Sequence, residues 1–395
     1  MKILKYGILL ILFCLPLYLI RFKILGVPTN VLEIMIGILF LFWLAKKGYK
    51  NLFIILKEKL LVWGIILLVV GVSAATIFSW NLKLSAGIWK SWFIVPIVFF
   101  IIFFTTIKKE DIKMIFYSLI ASGFVISIIS LVYLILGKLN FQARLQGIYS
   151  SPNYLAMYLA PILIIVLMKI CSRINFHKIL LFVACILLLV VLFFTKSYGA
   201  WLGIFIALIF GVAVYLYGTG KKKIVLLLVF LAFVGIFAFG IIKIQSLEGL
   251  KSFDARFVIW ERAWQSFEDN FPLGIGPGTF EKYFPPYPQW GVPQPHSIYL
   301  AFLLQTGIVG FVGFILVLVW FFWPGFKNFF ARGETLPLWG GRLLLIMLMI
   351  YILAHGLVDT LYWKNDLAVV FWTIIGAMII LSRPESGSRQ RSGEK

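Results

Sequence analysis

The chain has 395 residues, of which 62% are hydrophobic and only 13% are charged. A soluble domain of this composition could not cover its surface with polar groups, so most of the chain is expected to contact lipid. The formal net charge of +21 is spread over short basic clusters between apolar runs, rather than over one face or tail. This distribution excludes a nucleic-acid-binding protein and instead indicates membrane orientation.

Apolar runs recur along nearly the whole chain, and each is long enough to cross a hydrocarbon core about 30 Å thick as a helix. The runs are continuous rather than alternating, so we predict an all-α polytopic membrane protein, formed as one integral membrane domain over residues 1–395. About twelve transmembrane helices are predicted. They are Tyr6–Ile20, Val31–Leu44, Leu61–Phe78, Gly87–Ile107, Met114–Leu136, Asn153–Ile170, Ile179–Phe194, Ala200–Tyr217, Ile224–Ile242, Ser297–Trp323, Leu343–Thr360 and Leu367–Leu381.

Basic clusters predict the orientation of these helices. By the positive-inside rule, the connections that carry them are expected in the cytoplasm, with both termini and the disordered polar tail, residues 383–395. The large segment Gln245–His296 then lies on the extracytoplasmic side. The clusters fall in alternate connections, at Lys46, Lys47 and Lys50, at Lys108 and Lys109, at Arg173 and Lys178, at Lys221–Lys223, and at Lys327 and Arg332.

The extracytoplasmic segment over residues 245–296 is rich in charged residues, prolines, glycines and aromatics. Within it, Ala255–Phe267 is predicted to form an amphipathic helix at the membrane interface, with Phe257, Trp260 and Trp264 on one side. The glycines of PLGIGPGTF do not indicate nucleotide binding, because no strand precedes them and no Gly-Lys-Ser/Thr follows. A loop of this length is more often functional than incidental, so we expect the chemistry here.

His296 closes this loop at the start of the next predicted helix. The unperturbed pKa of histidine, about 6.5, permits proton transfer at neutral pH, so His296 is a candidate general base. The alternative is an interfacial histidine that only hydrogen-bonds a helix end. The residues alone leave both interpretations open.

Two arginines lie in the predicted extracytoplasmic loops, Arg256 in FDARFVIWERAW and Arg144 in FQARLQGIYSSPNYLA. A guanidinium is permanently charged and binds phosphate oxygens in a bidentate manner, so the pair suits a substrate that carries a diphosphate. Contact with lipid headgroups, or a salt bridge such as Arg256 with Asp254, is the alternative.

His355 and Asp359 are four residues apart in AHGLVDTLYW and are predicted to share one face of a helix near its outer end. Ionisable residues within a membrane span suggest a functional site, although a structural hydrogen-bonded pair is equally compatible. The three cysteines, Cys14, Cys171 and Cys185, lie in or at the ends of apolar runs. Their spacing predicts neither a disulfide framework nor a metal site.

The segment RFVIWERAWQSFEDNFPLGIGPGTF, followed by HSIYLAFLLQTGIVG, resembles the O-antigen ligase and polymerase superfamily. RLQGIYSSPNYLA, TKSYGAWLG and HGLVD resemble further features of that family, so the likeness spans roughly Arg144 to Asp359. The resemblance implies a membrane glycosyltransferase of the C-type class in the bacterial inner membrane. Its active site would be extracytoplasmic, and it would need no nucleotide, metal or other cofactor.

The same resemblance implies the substrates. The donor would be a glycan on undecaprenyl diphosphate, drawn from the surrounding membrane lipids. A ligase would transfer the glycan to the lipid A-core of lipopolysaccharide, whereas a polymerase would join it to another lipid-linked repeat unit. A transporter of lipid-linked glycans is a third possibility, but the polar residues gather at one face rather than along a central pathway.

Residue roles follow from the resemblance position by position. His296 matches the family histidine that is proposed to activate the acceptor hydroxyl, and Arg256 matches an arginine that holds the donor diphosphate. The family commonly has a second arginine in the turn formed here by Lys196–Gly199, where this sequence has Tyr198. Lys196 or Arg144 is expected to supply the missing charge.

Overall fold

Helices dominate the protein, and apart from one short hairpin its described residues contain no sheet. The computed structural model describes residues 2–24, 26–171, 178–218, 224, 247–283, 293–332 and 341–383. The predicted span Ile224–Ile242, apart from its first residue, and the tail after Arg383 lie outside the described residues. The helices are α1 Lys2–Phe13, α2 Val31–Ala45, α3 Phe53–Leu56, α4 Lys59–Ile77, α5 Leu82–Ile88, α6 Val95–Thr106, α7 Ile112–Ile135, α8 Pro152–Ile170, α9 Lys178–Thr195, α10 Tyr198–Gly218, α11 Leu247–Glu268, α12 Phe280–Tyr283, α13 Ile298–Arg332, α14 Gly341–His355 and α15 Asn365–Ser382.

Eight helical segments of the described residues are long and apolar enough to cross a membrane, and each matches a predicted span. Two further apolar helices, α2 and α14, have only 15 residues each. The predicted span Tyr6–Ile20 is instead the 12-residue α1 followed by a 3-10 turn over Leu15–Leu19. Pro16 lies at the start of that turn and cannot donate a backbone hydrogen bond, which interrupts the helix. The predicted total of twelve spans is therefore not confirmed. The eight segments are Lys59–Ile77, Leu82–Thr106, Lys109–Ile135, Pro152–Ile170, Lys178–Thr195, Tyr198–Tyr217, Ile298–Trp323 and Asn365–Ser382.

Helices α4 and α13 pack with their backbones in direct contact. A Cβ atom added to Gly71 would lie 2.1 Å from the backbone nitrogen of Gly310, and one added to Gly313 would lie 2.2 Å from the nitrogen of Leu68. Inside a membrane, small residues at a helix interface favour association because they allow this close approach. The glycines therefore hold α13, the helix that follows His296, firmly against α4.

A β-hairpin precedes α2 and anchors one end of the bundle. Its strands, β1 Arg21–Ile24 and β2 Val27–Asn30, are antiparallel, with Arg21 opposite Asn30. The side-chain oxygen of Asn30 caps α2 by accepting a hydrogen bond of 3.0 Å from the backbone of Glu33. Glu33 is buried and forms a 2.7 Å ion pair with Lys90.

The connections at one end of the bundle contact one another. The backbone nitrogen of Leu145 donates to the carbonyl of Phe194 at 2.9 Å, and the Ser85 hydroxyl donates to the carbonyl of Pro277 at 3.0 Å. We call this the site end, defined by the β1–β2 hairpin and the segments 80–85, 136–151, 195–198, 269–279, 293–297 and 356–364. The charge pattern predicts these segments together on one side of the membrane.

Candidate active site

Three connections at the site end each contain a residue other than glycine with a positive φ. Ala143 has a φ of 51°, Lys196 of 49° and His296 of 47°. Side chains with a Cβ atom rarely adopt this left-handed conformation, and such residues cluster at functional sites where the surrounding structure enforces them. The three positions mark the loops that converge on the candidate site.

His296 lies beside the buried carboxylate of Asp359. The distance from His296 Nδ1 to Asp359 Oδ1 is 3.5 Å, and the side chains are 34% and 4% exposed. At this distance the contact is long for a hydrogen bond, and Nδ1 has no other hydrogen-bond partner among the described residues. The carboxylate can orient the imidazole and stabilise its protonated form, as a general base requires.

Asp359 reaches this position because α14 ends before it. The prediction that His355 and Asp359 share one helix face is wrong, since α14 stops at His355 and residues 356–360 are not helical. Gly356 packs directly against Ile298, and its carbonyl accepts a 2.8 Å hydrogen bond from the Ile298 backbone. This contact ends the helix and brings Asp359 to the start of α13, where His296 lies.

Asn153 joins Asp359 to Arg144. Its amide nitrogen donates to Asp359 Oδ2 at 2.8 Å, and its amide oxygen accepts a bond of 2.6 Å from Arg144 Nη2. One planar side chain therefore holds a carboxylate and a guanidinium in fixed relation. Sequence reasoning missed Asn153 as a site residue, although it stands in the motif SSPNYLA. An asparagine after Ser-Ser-Pro looks like part of a helix start, which it also is.

Arg144 is held from three directions. In addition to Asn153, its Nε donates to the carbonyl of Thr195 at 2.8 Å, and its Nη1 lies 3.5 Å from the oxygen of Gln142. The Thr195 contact crosses to the connection between α9 and α10. Arg144 therefore lies against the turn Lys196–Gly199, and its role in place of the family's second arginine stays a prediction.

Helix α11 reaches both the histidine and the aspartate loop from one face. Arg256 Nε donates to the carbonyl of Val358 at 3.4 Å, and four residues later the indole nitrogen of Trp260 contacts the carbonyl of His296 at 3.4 Å. This spacing puts both side chains on the same side of the helix. Arg256 thus lies next to Asp359. The side chain of Asp254, the alternative partner, lies outside the described residues.

The remainder of α11 agrees with an amphipathic helix. Ile259, Ala263 and Phe267 are buried in a small apolar cluster with Leu304 of α13. Of the three aromatics predicted to lie together, Phe257 is 61% and Trp264 48% exposed, whereas Trp260 is half-buried. The two exposed rings therefore leave apolar surface on the outside of this helix.

The charges of the site act on one another. Burial raises the pKa of Asp359, but the His296 contact and the charges of His296, His355 and Arg256 outweigh it, so its pKa lies below the ordinary value. Burial lowers the pKa of Arg256. Burial and the charge of Arg256 lower the pKa of Arg144. The charge of Asp359 opposes both shifts. A guanidinium stays protonated despite such shifts, so the site contains two cations and one carboxylate.

The other predicted residues surround this centre. Lys196 is exposed, and its side chain makes no polar contact with the described residues. Tyr198 is 49% exposed and lies within electrostatic range of Arg144. His355 is buried, and its Nδ1 lies 2.8 Å from the Tyr351 hydroxyl. The structure therefore brings Tyr198 and His355 to the edge of the site, whereas the Lys196 side chain is exposed at the surface.

The glycine turn is a structural support rather than a binding loop. Gly274 has a φ of 74°, and a Cβ atom there would lie 2.3 Å from the carbonyl oxygen of Leu304. That carbonyl accepts a 2.8 Å hydrogen bond from Ile275, and the nitrogen of Gly278 donates to the side chain of Gln305 at 2.7 Å. The turn therefore docks onto α13 and fixes α11 over the site.

No three His, Cys, Asp or Glu side chains of the described residues are grouped closely enough to hold a metal ion. The chemistry available is that of a histidine backed by a carboxylate, with two guanidinium groups nearby. This combination can accept a proton and stabilise the negative charge of a departing group.

Comparison with known proteins bears on the same region. No curated protein matches the chain. Residues 183–315 match a family model described as O-antigen ligase, Wzy_C, which covers about a third of the chain. The matched segment contains Arg256, the glycine turn and His296, whereas Asn153 and Asp359 lie outside it. The resemblance predicted from the sequence motifs is thereby confirmed over this segment, whose sequence is similar to the O-antigen ligase family.

Proposed function

We propose that the chain is a glycosyltransferase that moves a glycan from undecaprenyl diphosphate to a sugar hydroxyl, at the extracytoplasmic face of the bacterial inner membrane. The observation that carries the proposal is the convergence on one buried carboxylate. His296 lies 3.5 Å from Asp359, and Arg144 and Arg256 flank the same residue through Asn153 and Val358.

The arginines would hold the donor. A lipid diphosphate carries several negative charges close together, and planar guanidinium groups bind phosphate oxygens in a bidentate manner. Arg256 lies on α11 and Arg144 on the connection between α7 and α8, so they can contact the diphosphate from two sides. Their charge would also stabilise the diphosphate as it leaves, which is the larger contribution to such a reaction.

His296 would activate the acceptor. Its Nδ1 faces Asp359, which leaves Nε2 to take the proton of the attacking hydroxyl. As the acceptor oxygen bonds to the anomeric carbon, the bond from that carbon to the diphosphate oxygen breaks, and its electron pair leaves with the diphosphate. Attack from the opposite face inverts the anomeric carbon. The proton on His296 then passes to water.

The acceptor distinguishes two forms of this reaction. In the ligase reaction, which the sequence resemblance put first, it would be the lipid A-core of lipopolysaccharide. Polymerisation of lipid-linked repeat units is the second candidate. It is favoured by two further cations at the site end, Lys364 and Arg21, which would suit an acceptor that itself carries a diphosphate.

Alanine variants of His296 and Arg256 test the proposal. At normal membrane levels, His296→Ala is expected to reduce transfer about 100-fold or more, because general-base catalysis contributes roughly 10²–10⁴-fold. Arg256→Ala is expected to reduce it about 100-fold, because one group that stabilises developing negative charge contributes roughly 10²–10³-fold. Arg262→Ala is the matched control, since Arg262 lies on the same helix and, among the described residues, its Nη1 contacts only Gln265. Wild-type transfer by the His296 and Arg256 variants would contradict the assignment.

The glycans of a deletion strain complemented with each variant provide the measurement. Unligated polymer that accumulates when the gene is lost would identify the ligase. Single repeats attached to the core would identify the polymerase.

A further inference from the structure

Lys364 is a half-buried cation without an acidic partner. Its ammonium nitrogen lies 3.9 Å from the centre of the Tyr154 ring. Among the described residues it makes no ion pair and its Nζ makes no hydrogen bond. The cation–π contact with this ring replaces only part of the hydration that the half-buried ammonium loses. An anion from outside the chain would therefore stabilise the ammonium further.

A second unpaired cation, Arg21, lies close by. Arg21 is exposed at the start of β1, opposite Asn30, and Asn30 and Asn365 both donate to Glu33 Oε1, at 2.8 and 3.3 Å. Since Asn365 follows Lys364, these bonds bring Arg21 within electrostatic range of Lys364. No described side chain makes a polar contact with Arg21. Two unpaired cations held together repel each other unless an anion lies between them.

The nearest acid does not satisfy this pair. Asp366 attracts Lys364 electrostatically, but it is buried and lies outside ion-pair distance. Its carboxylate accepts a 2.9 Å hydrogen bond from the Leu367 backbone and lies 3.5 Å from the Tyr149 hydroxyl. Burial lowers the pKa of Lys364 to about 8, with Asp366 opposing the shift and Arg21 adding to it. The positive charge therefore persists at neutral pH.

The pair adjoins the candidate active site. Tyr154, on which Lys364 rests, directly follows Asn153 in α8. Tyr154 is also within electrostatic range of Asp359. Two groups of cations therefore lie near the His296 and Asp359 pair. Arg144 and Arg256 form one group, and Lys364 with Arg21 forms the other.

We propose that Lys364, Arg21 and the Tyr154 ring form a second anion site, which binds the phosphate or diphosphate of a lipid-linked acceptor while Arg144 and Arg256 hold the donor. The proposal rests on the proposed function. Two separate anion sites would let two lipid-linked substrates bind at once, with the acceptor hydroxyl directed at His296. An acceptor that carries its charge this close to the reacting sugar would favour polymerisation over ligation.

Binding stoichiometry tests the second site without the native glycan. The full chain is placed in nanodiscs of phosphatidylcholine and titrated with radiolabelled farnesyl diphosphate. Wild-type protein is expected to bind two equivalents. Lys364→Gln and Arg21→Gln are expected to weaken one equivalent by about tenfold or more, because a hydrogen bond to a charged group is lost. Lys364→Arg retains the charge and is expected to bind both equivalents.

Matched variants separate this site from the donor site. Lys83→Gln removes an exposed charge at the site end and is expected to leave both equivalents unchanged. Arg256→Ala is expected to lose the other equivalent. If wild type binds one equivalent, which Arg256→Ala abolishes and Lys364→Gln does not, the second site is wrong while the proposed function stands. If Arg256→Ala retains both equivalents, the donor site is wrong.

The same titration distinguishes an acceptor from a membrane phospholipid. In nanodiscs that contain phosphatidylglycerol, the second equivalent of farnesyl diphosphate is expected to persist. Its displacement would show that a lipid headgroup occupies Lys364 and Arg21, and would overturn the assignment to an acceptor.

Discussion

Replacing Asn153 with alanine removes both polar contacts that join Arg144 to Asp359. Each contact has a charged partner, and a hydrogen bond of that kind contributes about 1.5–3 kcal/mol when buried. Asn153 is half-buried, so water would restore part of the loss. We therefore expect Asn153→Ala to reduce kcat/KM by about 10- to 100-fold, which corresponds to roughly 1.4–2.8 kcal/mol of transition-state stabilisation.

Asn153→Asp is the sharper form of the same test. An aspartate could still accept from Arg144 but could no longer donate to Asp359, and it would put a second carboxylate about 3 Å away. Like charges at this separation repel, and one of the two carboxylates would have to take up a proton. At neutral pH we expect Asn153→Asp to be less active than Asn153→Ala.

Transfer from extracted lipid-linked glycan by the purified full chain in liposomes provides the assay. Asn81→Ala is the control, because the Asn81 side chain caps α5 through a 3.1 Å bond from Leu84 and contacts none of the site residues. Its cost of about 1 kcal/mol in stability should leave kcat/KM unchanged. Wild-type kcat/KM for Asn153→Ala, or an Asn153→Asp variant as active as wild type, would refute the role given to Asn153.

Three further predictions concern other parts of the molecule. Arg144→Gln is expected to reduce transfer at least about tenfold, and Lys196→Gln less than twofold, because only Arg144 contacts the network; equal losses in the same assay would contradict this. Gly71→Leu is expected to lower the thermal unfolding temperature in detergent, since its side chain would displace the backbone of Gly310, and an unchanged temperature would refute the close packing. Because the pKa of Lys364 is lowered to about 8, the lysine loses its charge as the pH rises through that value. Binding of farnesyl diphosphate at the second anion site should then fall, while binding at Arg256 persists. Parallel titrations at pH values of about 7 and 9 test this. Two bound equivalents retained at the higher pH would count against the prediction.

The sequence predicted most of the membrane-crossing helices because lipid imposes a simple requirement. In lipid, an uncharged run of sufficient length must hydrogen-bond its own backbone groups by forming a helix. Eight of the predicted spans are therefore helices in the structure, with bounds within about five residues of those expected. The ends of the shorter helices α1 and α14 are set by single residues. Pro16 interrupts the first run and Gly356 ends α14, and neither effect changes the apolar pattern that was used for prediction.

The sequence indicated the charged residues of the candidate site but not the hydrogen bonds that join them. His296, Arg256 and Arg144 were identified because each has a chemical role that few side chains can fill. The link through Asn153 depends on a tertiary contact between the start of α8 and the segment after α14. A neutral amide has many structural uses, so its type and spacing alone did not indicate this one.

The left-handed residues of the site loops have a consequence for engineering. A backbone conformation of this kind costs of order 1–3 kcal/mol, so Ala143, Lys196 and His296 each work against the stability of the fold. At Ala143 or Lys196 a glycine would relieve that cost without removing a group that the reaction uses. The same change would loosen the loop that aims Arg144. We therefore expect such a glycine variant to unfold at a higher temperature and to have a lower turnover rate.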